Sequence, residues 1–140
     1  MLSIRKIKSK DIDRDYVDTM SSIREVTLPI KILKKILASR SENEQTFIAK
    51  NMDGKTIGTA TIIFEKKMYH EGQCVAHIED LAVHADHRNS GVGSALIEHC
   101  ITIAKNEQCY KMILDCSNEL KNYYERFGFF KSGVRMRLDI

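Results

Sequence analysis

At 140 residues and 16.1 kDa the chain has the length of one domain, and its 43% hydrophobic and 29% charged residues, with 7 Gly and 1 Pro, exclude collagen and disordered linkers. No apolar run approaches the roughly 18 residues of a membrane span, and the N-terminal MLSIRKIKSK lacks a signal peptide's apolar core, so a cytoplasmic protein off the membrane is expected. The net charge of +3 is spread along the chain, which argues against nucleic acid and suits a small anionic ligand.

In chain order, Leu2, Ile4 and Ile7 predict a first strand, and Asp11 can cap a short helix entering at Ile12. Pro29 suits the first turn of a second helix, whose Ile30, Leu33, Ile36 and Leu37 share one face. Residues 46–50, the turn Asn51-Met52-Asp53-Gly54 and residues 55–64 read as a hairpin, since Gly54 can take positive φ. Residues 75–83 read as a central strand. A helix follows on Val92, Leu96, Cys100 and Ile103, then a short buried strand at 111–115, a helix at 120–126 stopped by Gly128, and a last strand at 134–138. The predicted order is βααβββαβαβ, a mixed α/β fold with an antiparallel N-terminal portion and a parallel crossover around a glycine segment.

The chain shows no repeat or linker, so residues 1–140 are expected to form a single domain. Cys74, Cys100, Cys109 and Cys116 contain no C-x-x-C pair and read as free thiols. Cys74 and His77 have a ligand-like spacing but no matching second pair, so no metal is expected.

The chemistry-bearing segment is Arg88-Asn89-Ser90-Gly91-Val92-Gly93, between the central strand and a helix. Glycines there let backbone N–H groups close around an anion, and the helix dipole adds about half a positive charge. No G-K-[ST] follows, and Leu96 occupies the third glycine's place of the dinucleotide fingerprint, so neither of those motifs is present.

The stretch HIEDLAVHADHRNSGVGSALIEHC resembles the acetyl-coenzyme A motif of the GNAT N-acetyltransferase superfamily, with Arg88, Gly91 and Gly93 in the R/Q-x-x-G-x-G/A places. The predicted element order matches that superfamily as well. FEKKMYHEGQCVAHIEDLAV, CYKMILDC and YYERFGFFKSGVRM are similar to segments of the glucosamine-6-phosphate N-acetyltransferases within it. That resemblance implies acetyl transfer from acetyl-CoA to the 2-amino group of glucosamine 6-phosphate, by direct attack in a ternary complex, toward UDP-N-acetylglucosamine. It implies a homodimer whose two chains shape the acceptor site.

Carried onto this sequence, the resemblance makes Glu79, Asp80, Asp115 and Tyr124 catalytic, with Tyr124 facing the thioester sulfur. Leu81, Ala82, Val83, Arg88, Asn89, Ser90, Gly91, Val92, Gly93, Ser94, Asn118, Tyr124 and Arg126 are expected around acetyl-CoA. The sugar phosphate is expected among Ser21, Ser22, Lys67, Glu79, Asp80, Leu114, Asp115 and Arg135, with Arg24 and Lys66 as further cationic candidates. Ser21-Ser22 stands where the family usually has Thr-Thr, and Asp139-Ile140 where it often has a basic residue, with Arg137 earlier.

The residue types also make chemical sense on their own. An amine attacks a thioester only when unprotonated, so a carboxylate must take its proton, and a phenol can serve the leaving thiolate. Glu79 and Asp80 within an apolar strand are expected to be buried carboxylates, which need compensating partners. Asp115 has capping of the next turn as its alternative role, and Tyr124 has aromatic packing beside Tyr123. Rival functions are acetylation of a polyamine, aminoglycoside or protein amine, and non-enzymatic acetyl-CoA binding.

Overall fold

The computed structural model describes residues 2–140. Strand β1 (Ser3–Lys6) leads through a 3-10 turn at Ser9–Asp11 to helix α1 (Arg14–Ser21), and α2 (Ile30–Ser39) follows with Pro29 at its N-cap. Strands β2 (Glu44–Lys50), β3 (Thr56–Lys66) and β4 (Cys74–Val83) come next, then α3 (Val92–Asn106), β5 (Lys111–Ile113) and α4 (Lys121–Glu125). One mixed sheet has the order β1-β2-β3-β4-β5, antiparallel up to β4 and parallel between β4 and β5.

The period-2 pattern of β2 divides the core between the two faces of the sheet. Ile48 packs with Ile7, Ile12, Tyr16, Leu33 and Leu37 on the side of α1 and α2. Phe47 and Ala49 face the other way, onto Val92, Leu96, Cys100 and Ala104 of α3. Those four residues recur at intervals of four, so one stripe of α3 is covered by the sheet. Helix α3 lies close because Gly58 of β3 carries no side chain: a β-carbon there would stand 2.7 Å from Val92 Cγ1 and 2.9 Å from Leu96 Cδ1.

Three expectations need correction. Asp11 does not cap the first helix. Its carboxylate accepts two hydrogen bonds from Arg5, at 2.7 and 2.8 Å, and one from the Lys8 N–H at 2.7 Å, and Asp13 caps α1 by accepting the Tyr16 N–H at 3.0 Å. The 111–115 strand is not buried: β5 ends at Ile113, which is 40% exposed on the sheet's outer edge. The last strand does not form. Residues 134–138 alternate as a strand would, but among the described residues no strand pairs with them, and Val134, Met136 and Leu138 are each more than 80% exposed.

Among the described residues no helix is long and apolar enough to cross a membrane.

Candidate active site

The site is built where two strands part. Parallel pairing of β4 with β5 covers only Val75–Lys111, Ala76–Met112 and His77–Ile113, and beyond those pairs the strands separate. The C-terminal half of β4 thereby lacks a neighbour on the β5 side, and Leu114 and Asp115 run on past the fork.

On the other side, β4 carries a bulge against β3. Thr59 pairs with Ala82 and Thr61 with Glu79, so Ala60 stands opposite two residues, Asp80 and Leu81. Asp80 takes φ +50, a left-handed conformation unusual for a residue with a side chain. The bulge turns Glu79 and Asp80 outward and leaves both exposed, which overturns the expectation of buried carboxylates. Asp80 and Ala82 line a pocket of about 210 Å³ together with Met20, Ile23, Arg24, Glu25 and Val26 from the α1–α2 loop. Asp115, at the fork, lies 3.8 Å from Arg135 of the C-terminal segment, and both are largely exposed.

The glycine segment arches from β4 into α3. The His84 ring accepts the Asp86 N–H at 3.1 Å, and Gly91 takes φ +86 as the residue before the helix. Asn89 also has positive φ, +60. Ser90 donates its hydroxyl to the His87 carbonyl. The Val92, Gly93 and Ser94 N–H groups have no hydrogen-bond partner among the described residues, which is the donor array expected at a helix start. A second cavity, of about 580 Å³, lies between the 51–53 turn and residues 90–92.

The two glycines serve different ends. At Gly91 a β-carbon would meet nothing within 4 Å, so the requirement there is the positive φ. At Gly93 a β-carbon would stand 3.0 Å from the Tyr123 hydroxyl, so the requirement is the close approach of α4. Tyr124, on the same short helix, is half-buried, and burial, aided by Tyr123 and Cys116 nearby, pushes its phenol above the usual 10.0. It is therefore a protonated donor throughout the neutral range.

Other candidate residues make contacts within the chain. Ser21 Oγ accepts the Val26 N–H at 3.2 Å, and Ser22 Oγ accepts the Ala85 N–H at 3.0 Å, so both hydroxyls build the loop. Arg88 donates to the Ser22 carbonyl at 2.7 Å, placing its guanidinium against the α1–α2 loop. Lys67 pairs with Glu65 at 3.3 Å and its N–H donates to the Gln73 carbonyl at 3.2 Å, just before the start of β4 and at the opposite end of that strand from Asp80. Within this chain it is removed from the other acceptor residues because β4 runs its length between them. Lys66 lies at that same distant end, paired with Cys74 in the ladder. Asn118 opens an exposed 3-10 turn at Asn118–Leu120, and Arg126 lies over the Tyr123 ring at 4.8 Å.

Sequence reasoning missed Tyr16, Arg40 and Tyr123. Burial raises the Tyr16 phenol, with Arg40 opposing and Asp80 adding to the shift, so Tyr16 sits within the electrostatic reach of the bulge. Arg40 Nη1 donates to Thr46 Oγ1 at 2.7 Å, and Thr46 in turn meets Thr61 Oγ1 at 2.7 Å. No local spacing could announce these, since the partners are distant in sequence. Among the described residues no group of three or more His, Cys, Asp or Glu is placed to hold a metal.

The fork between β4 and β5, the bulge in β4 and a helix start with free N–H groups frame the site, and residues 10–129 match the Acetyltransferase (GNAT) family. The chain belongs to that family. Acetyl-CoA is the co-substrate of GNAT enzymes, and the free donors at Val92, Gly93 and Ser94 fit its pyrophosphate. Glucosamine 6-phosphate N-acetyltransferase of Candida albicans is 31% identical over 96% of this chain and 93% of its own length. The enzyme of that name from Trypanosoma brucei brucei is 38% identical over 62% of this chain and 59% of its length. Among solved structures, a Trypanosoma brucei acetyltransferase superposes with TM-score 0.91 at 29% identity, covering all of both chains. Glucosamine-6-phosphate N-acetyltransferase from Arabidopsis thaliana gives 0.87 at 25% identity, covering 99% and 98%. This GNAT protein is thus an acetyltransferase.

Proposed function

We propose that this GNAT enzyme, acting as a single domain, acetylates the 2-amino group of glucosamine 6-phosphate by direct attack in a ternary complex, giving N-acetylglucosamine 6-phosphate. The observation that carries the reading is the pocket that sets Arg24 beside Asp80, a cation for the phosphate next to carboxylates for the amine. Relatives named for this reaction, matching nearly the whole chain, support it.

Acetyl-CoA supplies the acetyl group as a thioester. The N–H groups of Val92, Gly93 and Ser94 hold its pyrophosphate, and the unpaired edge of β4 at Leu81 and Val83 offers backbone partners to its amides. Asp80 and Glu79 orient the sugar, and Asp115 takes the proton that the amine loses as its bond to carbon forms. The Tyr124 phenol donates to the departing sulfur. Binding energy from the remote phosphate orients the amine, so it appears in turnover as well as affinity.

We further propose a homodimer. The tail alternates exposed Val134, Met136, Leu138 and Ile140, and β5 presents an outer edge without a strand, so a second copy can supply the pairing that this chain cannot. Sedimentation should give twice the chain mass, and a truncation after residue 130 should sediment as monomer.

The deciding assay follows free coenzyme A release with glucosamine 6-phosphate, glucosamine and spermidine as acceptors. Loss of the phosphate should lower kcat/KM by about 100-fold, the worth of two charge-assisted contacts. Comparable values for the sugar and its phosphate, or a preference for spermidine, would overturn the acceptor assignment and leave the acetyltransferase.

A further inference from the structure

The Tyr123 hydroxyl lies 3.3 Å from Ser94 Oγ and touches the first turn of α3 where Gly93 leaves room for it. Three neighbours fix its ring. Tyr124 and Phe127 meet it edge-on, at 5.2 and 5.4 Å between centroids, and the Arg126 guanidinium lies over its face at 4.8 Å. The hydroxyl is thereby held beside the free N–H groups of Gly93 and Ser94. Packing alone would be served equally well by Phe, and with Phe the contact at Gly93 would not be tight.

We propose that Tyr123 is a donor-recognition residue: its hydroxyl accepts from Ser94 Oγ and donates to a phosphoryl oxygen of acetyl-CoA, extending the row of backbone donors on α3. A phenol has one proton to give and lone pairs to accept with, so both bonds can be made at once. Arg126, stacked on the ring, brings positive charge beside it. Tyr124 serves the sulfur and Tyr123 the phosphate, so adjacent residues on one short helix act at opposite ends of the pantetheine arm.

The inference rests on acetyl-CoA as donor, and two thioesters separate the cases. With acetyl-CoA, Tyr123→Phe should lower kcat/KM by about tenfold, the loss of one hydrogen bond to a charged group. With S-acetylpantetheine, which has no pyrophosphate, the same variant should match wild type. Calorimetry should show a matching tenfold weaker Kd for coenzyme A, and Ser94→Ala a smaller loss with the same donor dependence. Equal losses with both thioesters, or no loss with either, would overturn the role of Tyr123. Failure of wild type to bind coenzyme A would instead overturn the reading of the donor.

Discussion

Arg88 reaches across from the glycine segment and donates its Nη2 proton to the Ser22 carbonyl at 2.7 Å, while Ser22 Oγ accepts the Ala85 N–H at 3.0 Å. One residue of the α1–α2 loop is thus tied twice to the loop that precedes α3. The proposed acceptor pocket and the proposed pyrophosphate donors lie at the two ends of this tie. Ser22→Ala keeps the carbonyl and removes the hydroxyl, so it should raise KM for both substrates by about threefold, the lower end for one neutral hydrogen bond. Because the tie is at the surface, the melting temperature should stay within a few degrees of wild type; steady-state kinetics and a melting curve check both halves.

Gly93 and Tyr123 make a second pair whose substitutions should not add. A β-carbon in Gly93→Ala meets the phenol oxygen at 3.0 Å, so either α4 or α3 must give way and coenzyme A affinity should fall. In Gly93→Ala/Tyr123→Phe that oxygen is absent, and part of the lost melting temperature should return even though the hydroxyl's own bond is gone. Gly91→Ala should behave differently. It has open space but a φ of +86, and its cost of about 1–2 kcal/mol should be indifferent to residue 123. Melting curves of these three variants, of Tyr123→Phe and of Gly91→Ala/Tyr123→Phe decide the matter.

Tyr124→Phe should lower kcat by about 10- to 100-fold with little change in coenzyme A affinity, since the bond to the sulfur is made as the thiolate develops. Burial raises the wild-type phenol above its ordinary 10.0. The alkaline fall in kcat from loss of this proton should therefore have its midpoint above pH 10, and that limb should be missing in Tyr124→Phe. A pH–rate profile of both proteins is the check.

Asp11 gives the fold a weakness to acid. Hydrogen bonds from Arg5 hold its carboxyl well below the ordinary 3.8, helped by the Lys8 N–H and the charge of Lys50, 3.6 Å away. A depressed native pKa adds stability in full above the unfolded value, and that stability is withdrawn as pH falls through the native one. Unfolding free energy should therefore decline below about pH 4. Asp11→Asn should cost about 1–3 kcal/mol at neutral pH, because it weakens the charge-assisted bonds from Arg5 and the Lys8 N–H while the Arg5 guanidinium, 37% exposed, stays solvated, and should flatten the acid slope. Denaturant titrations from pH 3 to 7 measure both.

The elements that were legible in the sequence are those fixed by local chemistry. Gly54, with φ +77, closes the β2–β3 turn as its position implies, and the four-residue spacing of Val92, Leu96 and Cys100 gives α3 its buried stripe. Asp11 reads as a cap by spacing, and its pairing with Arg5, six residues before it, leaves that role to Asp13. The alternation at 134–138 reads as a strand because periodicity reports what a segment can pair with, and the partner is missing from its own chain. At the candidate site, the placement of Glu79 and Asp80 on β4 was readable, whereas the bulge that exposes them follows from register against β3. Lys67 was grouped with the acceptor residues by charge, and the length of β4 separates it from them.

The three residue pairs that join β5 to β4 also set how the sheet breathes. Where no second copy covers its outer side, β5 can open without disturbing the rest of the core, so its amide protons at Lys111–Ile113 should exchange with deuterium faster than those of β3 and β4. A ligand that fills the fork binds the closed form alone and slows this opening in proportion to its concentration over Kd. Exchange at these few amides is then a gauge of cofactor occupancy that needs no acceptor and no turnover.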